Sequence, residues 1–67
     1  MKKYFDIYVK YGEKDGDGYS IPMIANNKED AKQKAINEDL FEYADDVNDI
    51  DYIEELTKEE YNAMIRV

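Results

Sequence analysis

Few side chains in this sequence can do covalent or proton-transfer chemistry. Its 67 residues include no cysteine and no histidine, which removes thiolate nucleophiles, imidazole bases and Cys/His zinc sites. Ser20 and Thr57 carry hydroxyls, but no histidine is present to activate either, and Thr57 is placed to cap a helix. Seventeen carboxylates would in principle allow paired acid–base work of the glycosidase kind, yet a domain this small can hardly enclose the necessary cleft. The run Glu13-Lys14-Asp15-Gly16-Asp17-Gly18 sets oxygens at alternate positions before a glycine, like the first half of a calcium loop. Its twelfth position falls on Ile24 instead of a bidentate acid, and no helix precedes it, so it reads as a polar turn. No catalytic residue, cofactor or metal is expected, and the protein is expected to act by binding.

The charge distribution carries more information. The net charge is −8, and it is concentrated. Residues 1–36 hold six acids and seven bases, whereas residues 37–60 hold eleven acids and the single base Lys58. Read as helix, residues 38–49 place Glu38, Glu42, Asp45 and Asp49 on one face, with Asp39 and Asp46 flanking them. Like charges at such spacings repel by ~0.2–0.5 kcal/mol per pair. Such a linear array of anions resembles a phosphate backbone, in which charges recur every ~3.4 Å along each strand. The plain alternative is a solvated face that keeps a small protein soluble.

The elements that must position these groups follow from periodicity. Tyr4 to Tyr11 alternates, with Phe5, Ile7, Val9 and Tyr11 on one side and Tyr4, Asp6, Tyr8 and Lys10 on the other, predicting a half-buried strand. A second strand is predicted over Tyr19–Ala25, at a sheet edge because Pro22 lacks a ladder donor. Asn27 is set to cap a helix that turns Ala31 and Ala35 to the sheet. That helix is predicted to reach about Ala44, with a break possible near Asn37, and Ile36, Leu40, Tyr43 or Ala44, and Val47 form its apolar stripe. A short third strand over Ile50–Glu54 follows, then a last helix from Lys58 towards Ile65, capped by Thr57 and Glu60 and burying Tyr61, Met64 and Ile65. The expected fold is a single α+β domain, ββαβα, with a three-stranded antiparallel sheet in the order 2-1-3. Tyr4 and Tyr8 are either exposed interface residues, of the kind enriched in binding surfaces, or rings covered by the last helix.

Tyr4 to Val9, Ile21 to Ala31, and Asp51 to Tyr61 together resemble the short DpnD/PcfM-like proteins of phages and plasmids. In size and charge the chain is also similar to the acidic inhibitors that mobile elements use against restriction and CRISPR systems. Those inhibitors share no single fold, so the likeness transfers no functional residue. The likeness implies a basic, nucleic-acid-binding host protein as partner; the charge clustering puts forward Glu38, Asp39, Glu42, Asp45, Asp46 and Asp49 as its contacts, and strand alternation adds Tyr4 and Tyr8.

The other expectation is an interaction module, or a homodimer, that uses a sheet edge and exposed tyrosines. Direct binding to nucleic acid or to an anionic membrane is not expected, since both need a basic face. No apolar stretch reaches the ~20 residues of a membrane span. Met1-Lys2-Lys3-Tyr4-Phe5-Asp6 meets an acid before any long apolar run, so no signal peptide is expected and the cytoplasm is the expected compartment.

Overall fold

Strand alternation decides the centre of the molecule. In the computed structural model, which describes residues 2–10 and 18–66, β1 (Lys3–Lys10) runs between its two neighbours in the order β2-β1-β3. Both neighbours, β2 (Gly18–Ala25) and β3 (Ile50–Leu56), are antiparallel to it. This is the expected topology. Pro22 sits on edge strand β2, where its missing donor is tolerated. Tyr11 and the half-loop over residues 13–17 lie outside the described residues.

One sheet face is apolar. Phe5, Ile7 and Val9 from β1 and Ile21, Met23 and Ala25 from β2 are buried together, with Tyr19, Ile50, Ile53 and Phe41 against them. α1 (Lys28–Asn37) covers this face through Ala31 and Ala35, both fully buried. Small side chains let the helix backbone come close to the sheet. Ile50 and Ile53 reach the same face, although a spacing of three in a regular strand would separate them. A bulge resolves the conflict: Tyr8 pairs with Tyr52 but Val9 pairs with Ile50, so Asp51 drops out of the ladder.

Helix ends follow local chemistry. The Asn27 side chain accepts from the Asp30 amide at 2.8 Å, and Asp30 Oδ2 accepts from the Asn26 amide at 3.0 Å. At the other end α1 stops at Asn37, at the possible break and short of the expected reach to about Ala44. Asp39 takes the left-handed backbone, φ 55°, while the Leu40 amide donates to the Ala35 carbonyl and the Asp39 amide to the Ile36 carbonyl. That pairing is a Schellman stop with aspartate where glycine is usual. The predicted apolar stripe therefore breaks up: Ile36 and Leu40 are about two-fifths exposed, and Tyr43 more so.

α2 (Lys58–Ile65) forms where expected, with Thr57 Oγ1 accepting from the Glu60 amide at 3.1 Å and Glu60 Oε1 from the Thr57 amide at 3.0 Å. It buries less than expected. Tyr61 packs on Tyr4, but Met64 and Ile65 are exposed. Eight residues are too few for a helix to persist alone, so the cap matters. Thr57→Ala is expected to cost ~1 kcal/mol, read as a lower urea midpoint at unchanged slope.

Candidate partner-binding surface

Residues 38–49 leave α1 and cross the apolar sheet face as an irregular segment that ends in a 3-10 helix, Ala44–Asp49. The acids on this segment therefore do not line one α-helical face, which corrects the predicted geometry. Glu38, Asp39, Glu42, Asp45 and Asp49 are all exposed. Asp46 is not: only 5% of its surface reaches solvent. A partner could not meet it, and its role is structural.

What holds the segment is a part-buried polar link. Tyr19 lies on the core face of β2, and its hydroxyl donates to Asp46 Oδ2 at 2.6 Å. The same hydroxyl accepts from the Glu42 amide at 3.1 Å, and Asp46 Oδ2 also accepts from the Tyr43 amide at 3.2 Å. The Asp46 amide returns a bond to the Tyr43 carbonyl at 3.0 Å, closing the first turn of the 3-10 helix. Burial, then the negative Asp46 partner, push the Tyr19 hydroxyl up to about 12, so it keeps its proton and stays a donor. The acids thus project from a segment pinned at its middle.

Beside them lies a shallow hollow of ≈ 150 Å³ lined by Ile36, Asp39, Phe41, Ala44 and Val47. Apolar floor and acidic margin together suit a basic, partly apolar partner.

The tyrosines divide. Tyr4 is half-buried with its ring 4.9 Å from that of Tyr61 on α2, so the last helix does cover it. Tyr8 instead stacks on Tyr52 of β3, centroids 5.2 Å apart and planes at 21°. Gly18 makes room for it. A Cβ there would collide with the Val9 carbonyl oxygen and stand 2.8 Å from the Tyr8 hydroxyl oxygen. Tyr52 is 45% exposed, so this stack faces solvent on the side of the sheet away from α1. Tyr52 was not among the sequence-predicted contacts; strand alternation alone would have paired it with Tyr8.

Among the described residues no cluster of three or more Asp, Glu, His or Cys is arranged to hold a metal, and no helix is long and apolar enough to cross a membrane. No protein-family model, curated protein or solved structure matches the chain.

Proposed function

We propose that the protein acts by binding, and that its partner is a basic surface of a nucleic-acid-binding host protein, of the kind found in CRISPR effectors and restriction enzymes. The single observation that carries this reading is the exposed set Glu38, Asp39, Glu42, Asp45 and Asp49 on a segment fixed by the part-buried Tyr19–Asp46 bond. Arginines and lysines that normally meet phosphates would meet these carboxylates, preferably in charge-assisted bidentate pairs. Occupation of that surface excludes nucleic acid, which makes the protein a competitive inhibitor working in the cytoplasm of the host cell. The resemblance to DpnD/PcfM-like proteins agrees with carriage by a phage or plasmid. A flat phosphate ladder is not required: the array is short, and the apolar hollow adds contact area that a duplex lacks.

The test uses the immobilised protein, a bacterial lysate and duplex DNA as competitor. A captured protein that binds DNA, and that duplex DNA displaces, supports the reading. Retention should also vanish near 0.5 M salt, where the Debye length falls to ~4 Å. Neutralising Glu38, Glu42, Asp45 and Asp49 together should weaken capture roughly 30-fold, at ~0.5 kcal/mol per lost pair. Glu29→Gln with Glu59→Gln, which removes exposed acids elsewhere, should leave capture nearly unchanged. Equal retention of the two variants would overturn the proposal.

A further inference from the structure

The second face of the sheet carries a carboxylate that the fold does not use. Asp6 sits at the middle of β1, the central strand, and only 8% of it is exposed. Among the described residues the Ser20 hydroxyl is the side chain that hydrogen-bonds it, and Oδ1 is buried with no partner. Directly opposite on β3 stands Glu54, an exposed second acid. Like charges opposite each other destabilise a sheet, and among the described residues no cation forms an ion pair with either. On the diagonal lies Tyr52, stacked on Tyr8. Desolvation first, then the charges of Asp6 and Glu54, raise the Tyr52 hydroxyl above its ordinary value, which places that ring in a negative field. Two carboxylates on adjacent strands and an exposed aromatic stack thus meet on one face.

We propose that Asp6, Glu54 and the Tyr8–Tyr52 stack form a receptor for an arginine side chain of a protein partner. The guanidinium lies on the exposed Tyr52 ring and donates to the Glu54 carboxylate, while the unpartnered Asp6 carboxylate beneath supplies a second negative charge. Arginine fits this arrangement better than lysine, since a planar guanidinium can stack on a ring and donate to a carboxylate while giving up little hydration. The pair of carboxylates also falls short of the ligand count of a metal site. This site uses none of residues 38–49, so it stands or falls separately from the reading above.

The experiment is an NMR titration of the full chain with acetyl-Gly-Arg-Gly-amide and with its lysine counterpart. Saturable shifts at Tyr8, Ser20, Tyr52 and Glu54 are expected with the arginine peptide, and binding about fivefold weaker with the lysine peptide. Asp6→Asn and Tyr52→Ala should each lower the arginine affinity by a similar factor, while amide spectra show both variants folded. Tyr61→Ala, on α2, should leave the affinity unchanged. Three outcomes would overturn the proposal: equal affinity for the two peptides, shifts confined to residues 38–49, or full binding by Asp6→Asn.

Discussion

Asp46→Ala is expected to destabilise the protein by ~2 kcal/mol and to loosen residues 41–49 while the sheet keeps its pairing. The Asp46 carboxylate accepts from the Tyr19 hydroxyl and from the Tyr43 amide, and bonds to a charged acceptor contribute ~1.5–3 kcal/mol. Opposing this, removal of one negative charge from an acidic segment relieves repulsion of ~0.2–0.5 kcal/mol per neighbouring pair. The hydrogen bonds win, because alanine removes the carboxylate to which the part-buried Tyr19 hydroxyl donates. A domain of 67 residues has only roughly 3–10 kcal/mol of stability in total, so Tm should fall by ~8–16 °C. Hydrogen exchange should quicken at the Glu42 and Tyr43 amides more than in β1. Asn, which keeps an acceptor oxygen, should recover part of the loss, and a double-mutant cycle with Tyr19→Phe should show coupling. A change below ~0.5 kcal/mol, the scale of ordinary surface substitutions, would mean the link does not hold the segment. Since Asp46→Ala leaves every exposed acid in place, it also distinguishes a fixed array from loose charge: partner capture should weaken only if fixation matters.

That anchor was only half legible in the sequence. Alternation placed Tyr19 beside Ile21 and Met23 on the core side of β2, and a buried hydroxyl needs a partner. Nothing in the spacing of Glu42, Asp45 and Asp46 tells which acid turns inward, because the helical reading of residues 38–49 made them equivalent. The stop at Asn37 was legible only as a possible break, for a related reason. Left-handed C-caps announce themselves through glycine, and here Asp39 takes that conformation at some cost in strain. The bulge at Asp51 did leave a signal, since two isoleucines three apart in one strand cannot both face the core without an extra residue. By contrast, the caps at Asn27 and Thr57 depend on interactions within a few residues, the edge position of Pro22 on one backbone donor, and the Ala31/Ala35 contact on small side chains one helical turn apart. Such features have short-range signals in the chain, and they appear at the expected positions.

Asp6→Asn is expected to act in the opposite direction, raising stability near pH 7 by ~1 kcal/mol, the low end of the cost of an unsatisfied buried polar group. Desolvation holds the Asp6 carboxyl above its ordinary 3.8 despite the opposing Ser20 bond. Folding therefore favours the protonated form, and the sign of the pH effect follows. Stability from this group is fully present below 3.8 and is lost as pH climbs through the raised folded value. The asparagine variant has no such proton to lose. Its advantage over the parent should be largest at neutral pH, shrink on acidification and disappear below 3.8, in urea denaturation run across that range. The amide can keep the Ser20 bond through its oxygen and donate to Glu54, which turns a repulsion into an attraction. Tyr52 on the same face has its hydroxyl raised by burial and by the neighbouring acids, so it does not disturb the comparison. A loss of stability of equal size at every pH would instead show that the carboxylate is satisfied in the folded protein. If the expected gain appears together with loss of arginine binding, the charge at the centre of β1 weakens the fold and serves the partner, which is the trade a binding residue makes.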